Sequence, residues 1–261
     1  MRALYVSPVS KEGILMRVLK FTIGMFLIVG VLAIGAWADD AAPAKAWKDS
    51  GELSVVSTNG NSKGTTTSAK DTFTYNWTKA ALELIGGGLG SSSGNQVTAE
   101  QYNASEKVTY PLTENEKNYV YEKGGWDKNR FAGYRNRWDG SVGYGREILA
   151  LSSDTLIGEI GEGYINEERI DAPRNDFAST RVYAKYTHIL SATAQFTQDA
   201  EYIHDDSDRK DYRLNTETAL IASISTHLAL KASYLWNRVG EPPPGIGKDD
   251  TTTSVALVVN Y

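Results

Sequence analysis

The sequence contains no cysteine among its 261 residues. This absence excludes a disulfide framework, a thiol nucleophile and a metal site with cysteine ligands. It also excludes a lipoprotein, whose lipid would need an N-terminal cysteine. Helical periodicity is scarce as well after Asp39, so the remainder of the chain does not have the pattern of a helical protein.

The N-terminus has the pattern of a secretory signal peptide. Basic residues precede an apolar run over 21–38, which ends in the small-x-small pattern Ala36-Trp37-Ala38, and two aspartates follow. These features predict a signal peptide over 1–38 and a mature domain over 39–261. An uncleaved anchor is the alternative, because an apolar run of this length is near the minimum for a membrane span. Met16 is an alternative start of the protein.

The charge of the mature chain argues against a nucleic-acid partner. After removal of 1–38 the chain has 223 residues with 23 bases and 31 acids, a net charge of −8. Proteins that bind nucleic acids favour a basic face for the phosphate backbone. No nucleic-acid partner is therefore expected.

Alternation with a period of two residues recurs along the mature chain. Over 228–236, for example, Leu228, Leu230 and Ala232 share one face, while Lys231 and Ser233 share the other. This period is typical of β-strands with two different faces. Twelve such segments are present, at 52–55, 70–77, 79–89, 101–110, 118–126, 134–145, 156–165, 181–187, 194–203, 212–223, 228–236 and 253–261.

The connections between these segments alternate in length. Short ones contain 113–118, 152–155, 191–193 and 224–226, whereas longer ones contain 59–64, 86–95, 127–133, 169–177, 205–210 and 240–250. Tight turns at one end and longer loops at the other are typical of outer-membrane barrels. We therefore expect an all-β fold, a transmembrane antiparallel β-barrel of about twelve strands with both termini in the periplasm.

One face of these strands is apolar and aromatic, while the other carries charges of both signs. In a membrane barrel the charged face lines the lumen, whereas a soluble periplasmic β-protein, the alternative, shows it to water. Two acids, Glu106 and Glu162, fall on the apolar face, which indicates either a bulge or a position near the membrane surface. The expected lumen charges are Asp127, Arg135, Arg137, Asp139, Glu159, Arg181, Lys185, Asp199, Glu201, Arg213, Glu217 and Lys231.

The mixed signs of these charges predict ion pairs inside the barrel. Arg135 and Arg137 are positioned to bridge Asp127 on the neighbouring strand, and Glu159 is positioned to bind Arg137 or Arg181. A strongly ion-selective pore shows a lining of one sign, which this sequence lacks. We therefore expect a lumen largely filled by ion pairs, with a narrow or gated path.

Few residues in the sequence have the pattern of an enzyme active site. His204 opens the acidic run 204–208, and Asp249 and Asp250 begin the last strand at the same rim, so a hydrolase that activates water there is one alternative. A cation site that bridges lipopolysaccharide phosphates is another, because hard cations bind carboxylate oxygens. A solvated loop explains the same residues, and we expect no catalytic residue, no metal and no cofactor.

Several motifs are similar to those of a known family. They are W-K-D-S-G-E-L-S at 47–54, T-x-G-N-S at 58–62, A-E-Q-Y-x-A-S at 99–105, W-D-K-N-R-F-A-G-Y-R at 126–135 and E-P-P-P-G-I-G-K-D-D-T-T-T-S-V-A-L-V at 241–258. The sequence resembles the salt-induced outer-membrane protein family, which is YdiY-like and has a domain of unknown function. The resemblance implies an outer-membrane barrel of a Gram-negative bacterium and an association with salt or osmotic stress, but no activity.

The resemblance also gives a role to the last strand. Val255, Leu257, Val259 and Tyr261 alternate toward one face, which we expect to contact lipid. A terminal aromatic on such a strand is similar to the signal that the outer-membrane assembly machinery recognises. The expected partners are therefore this machinery, outer-membrane lipid and lipopolysaccharide. The expected function is a non-enzymatic envelope protein or a narrow solute pore.

Overall fold

A computed structural model describes residues 46–58, 64–93, 96–112 and 117–261. The signal peptide predicted over 1–38 lies outside these residues. Among the described residues, no helix is long and apolar enough to cross a membrane.

The described chain is built almost entirely from β-strands. A single turn of 3₁₀-helix, Arg130–Ala132, lies between the fifth and sixth strands. The strands are β1 Trp47–Thr58, β2 Gly64–Trp77, β3 Ala80–Ser93, β4 Gln96–Pro111, β5 Asn118–Asn129, β6 Tyr134–Ala150, β7 Asp154–Arg169, β8 Asn175–Ser191, β9 Ala194–Asp205, β10 Tyr212–Ser223, β11 Leu228–Val239 and β12 Asp249–Asn260.

The twelve strands form one closed barrel. Each strand pairs antiparallel with its neighbour in sequence, and β12 returns to pair with β1. Closure leaves neither end of the sheet as a free edge strand, which is how a β-structure satisfies its backbone in lipid. The predicted antiparallel barrel of twelve strands is confirmed.

The two ends of the barrel differ. The end that holds Trp47 and Asn260 also holds the short turns, such as 78–79 and 192–193, and we call it the turn end. The opposite end, which we call the loop end, holds the longer connections 206–211 and 240–248. The prediction that 86–95 is a connection was wrong over most of its length, because residues up to Ser93 belong to β3 and pair with β2 and β4.

The outer face of the barrel is apolar. Val142 is 63% exposed, Val55 60%, Leu53 56% and Ile160 55%, and they all lie on this face of their strands. Large apolar side chains exposed over a whole surface are unusual for a protein in water and are typical of one in lipid. The alternation of the sequence therefore separates the outer face from the lumen.

Glu106 and Glu162 both lie on the outer face, and neither lies at a register shift of its strand. The bulge considered for these positions is therefore absent. Glu162 accepts a hydrogen bond from the Thr180 hydroxyl, which also donates to Asp206 in a loop-end connection. This links Glu162 to the loop-end rim.

Candidate functional site

The lumen contains three groups of charged side chains, and the first lies near the loop end. Arg137 on β6 donates to Asp127 on β5 at 2.9 Å, and the Tyr134 hydroxyl donates to the same carboxylate oxygen at 2.8 Å. The Arg137 guanidinium lies 4.7 Å from the centre of the Tyr134 ring. Two donors on one oxygen fix the position of this carboxylate between β5 and β6.

Arg135 does not belong to this group. The prediction placed it in the lumen beside Arg137, but its side chain lies on the outer face and is 64% exposed. The reason is a β-bulge between Tyr134 and Asn136, where β6 has one residue more than β7. An extra residue shifts the alternation by one position, so Tyr134 turns inward and Arg135 turns outward.

Glu167 is the centre of the rest of this group. It accepts hydrogen bonds from Arg213 at 3.0 Å and from Arg169 at 2.7 Å, and only 3% of its side chain is exposed. Arg213 and Arg169 also lie 3.7 and 3.5 Å from Asp211. We call these residues the loop-end cluster: Asp127, Tyr134, Arg137, Glu167, Arg169, Asp211 and Arg213.

A small apolar core supports the loop-end cluster from inside the barrel. Ile165, Phe177 and Ile203 lie in contact and are 2%, 4% and 8% exposed. The Arg213 guanidinium lies 4.9 Å from the centre of the Phe177 ring. A buried arginine is stable here because its charge is paired and its planar face packs on an aromatic ring.

The second group surrounds Glu159 on β7. Its carboxylate accepts hydrogen bonds from Lys107, from the Tyr119 hydroxyl at 2.7 Å and from Arg181 at 2.9 Å. Glu159 is almost wholly buried, with 1% of its side chain exposed. A buried carboxylate needs several donors to offset the loss of water, and these three provide them.

The same group crosses the lumen at Glu201 on β9. This carboxylate accepts from Arg181 at 2.6 Å and from Lys123 at 2.9 Å. Lys123 is on β5, so β6, β7 and β8 lie between the two residues in the wall. Four strand spacings amount to about 19 Å along the wall, so the contact is made through the interior.

Tyrosine rings fill the space between these charges. The Arg181 guanidinium lies 5.3 Å from the Tyr121 ring and 5.0 Å from the Tyr183 ring, and it donates to the Tyr121 hydroxyl at 3.0 Å. The Lys107 ammonium lies 5.2 Å from the Tyr121 ring. We call these residues the central cluster: Lys107, Tyr119, Tyr121, Lys123, Glu159, Arg181, Tyr183 and Glu201.

The third group lies where the barrel closes. Lys231 on β11 lies 2.6 Å from Glu217 on β10 and 3.1 Å from Glu52 on β1. We call Glu52, Glu217 and Lys231 the seam cluster, because they lie beside the closure of β12 on β1. Glu52 and Lys231 of this cluster line a cavity of about 380 Å³ at the turn end, which Ser223 and Asn260 also line.

The remaining predicted charges also lie on the inner face. Lys185 and Asp199 are cross-strand partners on β8 and β9, and Asp199 accepts a hydrogen bond from the Glu217 backbone N–H at 3.2 Å. The Asp139 carboxylate lies over Gly125 on β5, in space that a side chain at residue 125 would need. The structure therefore brings together eight of the twelve predicted charges in the three groups and leaves Lys185, Asp199 and Asp139 at their edge.

His204 and the adjacent Asp205 of the hydrolase alternative lie on opposite faces of β9. The His204 ring lies on the outer face and stacks on Tyr202, with 6.2 Å between ring centres. Asp205 faces the other way, and its carboxylate accepts from the backbone N–H groups of Ser207 and Asp208 in the turn. A general base needs its partner within hydrogen-bonding reach, and opposite faces of a strand do not allow it.

Asp249, at the same rim, is engaged by other side chains. Asp249 accepts from Arg238 at 2.7 Å and from the Trp236 ring N–H at 3.0 Å. Over the described parts of the chain, no group of three or more histidines and acids has an arrangement that could hold a metal ion.

Sequence reasoning did not single out two of the most connected charges. Lys107 shares a face with Asn103 and Ser105 in the alternating segment of β4, so the period alone identifies it as a lumen residue. Glu167 follows Glu159 at an even spacing on β7, and extending the alternation past 165 reaches it. The lumen position of the tyrosines in these clusters could not be predicted from residue type, because an aromatic residue is compatible with either face of a strand.

Comparisons with solved structures show the fold. The COG4313 outer membrane channel from Pseudomonas putida F1 matches with a TM-score of 0.54 and 11% identity, over 86% of this chain and 100% of the other. The translocator domain of autotransporter NalP from Neisseria meningitidis matches with a TM-score of 0.45 and 11% identity, over 97% and 98%. The NanC porin matches with a TM-score of 0.45 and 9% identity, over 82% and 98%.

Comparisons of sequence identify relatives. The uncharacterized protein YdiY of Escherichia coli (strain K12) is 27% identical over 259 residues, which cover 94% of this chain and 99% of the relative. Residues 51–261 match the model of a family described as "Protein of unknown function, DUF481". The predicted resemblance to a YdiY-like family of unknown function is confirmed.

Proposed function

Because the chain belongs to the DUF481 family of proteins of unknown function, and its barrel has the fold of outer-membrane channels, we propose that it is a non-enzymatic outer-membrane protein with a narrow, charge-gated path for small polar solutes. The turn end then faces the periplasm and the loop end faces the cell exterior, as is usual for such barrels. The apolar outer face contacts lipid and, in the outer leaflet, lipopolysaccharide.

The observation that carries the proposal is the contact of Lys123 with Glu201 across the lumen, at 2.9 Å. An open porin keeps its charges on the wall and leaves water between them. Here the side chains meet in the middle, and Arg181 and the Tyr121 ring occupy the space beside them. Solute passage therefore requires that these contacts separate.

The balance of charge supports a path for neutral or zwitterionic solutes. The central cluster has three bases and two acids, and the seam cluster has one base and two acids. A lining of mixed sign repels neither sign strongly and favours no single ion. The cavity of about 380 Å³ at the turn end would receive a solute that leaves the central cluster.

The association with salt or osmotic stress is part of the proposal and comes from the family resemblance. Surface ion pairs weaken as salt rises, but buried pairs are screened much less. A lumen held by buried pairs would thus stay narrow in concentrated salt. Growth of a strain that lacks the protein, compared with its parent on high-salt medium, tests this part of the proposal.

Conductance in planar bilayers tests the narrow path. We expect small or brief openings for the native protein and a conductance about threefold larger or more after Lys123→Ala, because the side chain that crosses the lumen is lost. The matched control is Lys128→Ala, which removes the same charge from the exposed, outer face of the same strand. A large and steady conductance of the native protein would overturn the proposal.

A hydrolase would be revealed by a different experiment. We expect His204→Ala to leave any hydrolytic activity of the purified protein unchanged, because the His204 ring stacks on Tyr202 away from Asp205. Loss of an activity in this variant, with the barrel intact by heat-modifiable gel mobility, would favour the enzyme over the channel.

A further inference from the structure

The barrel closes through a short seam. β1 and β12 pair over five residues each, Ser50–Ser54 with 256–260. By contrast, β1 pairs with β2 through twelve residue pairs, and β12 pairs with β11 through eleven. The seam is therefore less than half as long as the pairing on either side of it.

Both strands continue beyond the last pair of the seam, Ser54 with Ala256. β1 runs on to Thr58 along β2, and β12 extends back to Asp249 along β11. Within these described ranges, no backbone pair joins 55–58 to 249–255. The pairing of the two strands thus ends above Ser54, which leaves a split in the wall toward the loop end.

The position of the split along the wall is given by β11. Val255 lies at the start of the split and pairs with Ala232, while Tyr234 and Trp236 pair with the next outer residues of β12. Aromatic residues gather at the surfaces of a bilayer. The split therefore lies at the depth of the outer leaflet, and its edges present the apolar side chains of Val55 and Val255, which are 60% and 57% exposed.

The inner side of the split is charged. Lys231 pairs in register with Ala256, so its ammonium lies on the lumen side immediately below the split, in contact with Glu52 and Glu217. Lys70 is the cross-strand partner of Glu52 and adds a second base. Two bases and two acids of the lumen thus lie beside the split.

The wall around the split has small side chains. Ser54, Ser233 and Ala256 face inward and are buried, and the Ser233 and Ser254 hydroxyls are 2.8 Å apart. The bulky central cluster is attached to β4, β5, β7, β8 and β9, on another part of the wall. The inner wall beside the split therefore has no bulky side chain at these three positions.

Unpaired backbone groups are unfavourable in hydrocarbon, so the edges of a split need polar neighbours or an occupant. A molecule with a polar head and one apolar chain satisfies both sides. We propose that the split is a lateral portal for single-chain zwitterionic amphiphiles of the lysophospholipid type. The head group lies against Lys70, Lys231 and the two glutamates, and the chain passes between Val55 and Val255 into the outer leaflet. This portal does not depend on the axial path proposed above.

Cysteine cross-linking tests the split, because the native chain has no cysteine. The double variant Val55→Cys/Val255→Cys places thiols on the two edges, and the control Leu53→Cys/Leu257→Cys places them on a paired position of the same seam and face. With a copper–phenanthroline oxidant in proteoliposomes, the control forms its disulfide about tenfold faster, because its residues lie at bonding distance. Equal rates for the two pairs would show a closed seam and overturn the proposal.

Binding is measured with acyl-chain nitroxide-labelled lysophosphatidylcholine in the same proteoliposomes. Electron spin resonance reports the motionally restricted fraction of the probe. Forced oxidation of the Val55→Cys/Val255→Cys pair should lower that fraction about twofold, whereas oxidation of the control pair should not, because only the first closes the portal. Lys231→Gln should weaken binding about threefold by loss of a charged contact. A restricted fraction that neither closure nor Lys231→Gln changes would show ordinary boundary lipid and overturn the proposal.

Discussion

Lys123 on β5 and Glu201 on β9 meet at 2.9 Å across the inside of the barrel, with three strands between them in the wall. Glu201 also accepts from Arg181 at 2.6 Å. Two cations thus share one carboxylate in the lumen. The carboxylate is therefore the critical member of this contact, since its loss removes the partner of Lys123 and leaves Arg181 with Glu159 as its remaining carboxylate.

Neutralising Glu201 should therefore change ion selectivity. In Glu201→Gln the charge of Lys123 faces the lumen uncompensated while Arg181 keeps only Glu159 as a carboxylate partner, and we expect the anion-to-cation permeability ratio to rise about twofold or more. The measurement is the reversal potential in a KCl gradient. Glu122→Gln is the matched control, because this exposed residue lies on the outer face of β5 and should leave the ratio unchanged.

Removing the charge of Glu167 should destabilise the barrel. Its carboxylate binds Arg213 and Arg169 while 3% exposed, so Glu167→Gln removes the nearer carboxylate of two buried guanidinium groups and leaves them only Asp211, at a cost of about 3 kcal/mol. The next residue provides the control: Glu168 is 49% exposed, and Glu168→Gln should change stability by no more than about 0.5 kcal/mol. Urea unfolding in lipid vesicles measures both, and equal midpoints would show that the buried pairs do not stabilise the fold.

A methyl group at Gly161 should disturb the packing of the central cluster. Its Cβ would lie 2.6 Å from the Val142 carbonyl oxygen and against the Tyr121 hydroxyl. We expect Gly161→Ala to destabilise the barrel by about 1–3 kcal/mol through overpacking. Gly140→Ala adds the same group where nothing lies within 4 Å, so its effect should be neutral or slightly stabilising. The unfolding midpoint in vesicles distinguishes the two.

We propose that the outer residues of β12, Val255, Leu257, Val259 and Tyr261, are recognised by the outer-membrane assembly machinery. Tyr261 is 60% exposed, and its backbone N–H donates to the Asp49 carbonyl at 2.9 Å. Tyr261→Ala keeps that backbone bond, so its main effect should be on recognition.

The expected result is a severalfold lower amount of assembled protein, measured as heat-modifiable protein in outer-membrane fractions. Tyr234→Ala removes an exposed outer aromatic from β11 and is the control. If both variants assemble to the same extent, Tyr261 has no special role.

The alternation of residues was sufficient for much of the fold and failed at identifiable positions. It placed Arg137 and Glu159 in the lumen because a strand has a period of two. It misplaced Arg135 because one inserted residue at a bulge reverses the faces, and no local composition marks that insertion. It did not decide between a bulge and a rim position for Glu106 and Glu162, because an acid on the outer face is compatible with either.

For the candidate site, the sequence predicted on which face of a strand most of the charged residues lie, but it did not predict most of the contacts between them. The contact of Arg137 with Asp127 could be predicted, because their two strands are neighbours in sequence. The contact of Lys123 with Glu201 could not be predicted, because it depends on the width of the closed barrel and on the stagger of the four strand pairings between β5 and β9. The short seam between β1 and β12 is likewise a property of closure.

The sequence by itself determined that twelve two-faced strands would form one barrel with an apolar outside and a charged inside, because side-chain alternation is a local consequence of strand geometry. Only the tertiary structure decided which charges pair, that the pairs span the lumen, and that β12 leaves β1 above Ser54. These depend on register and closure, which arise from all strands together and not from the pattern of any one of them.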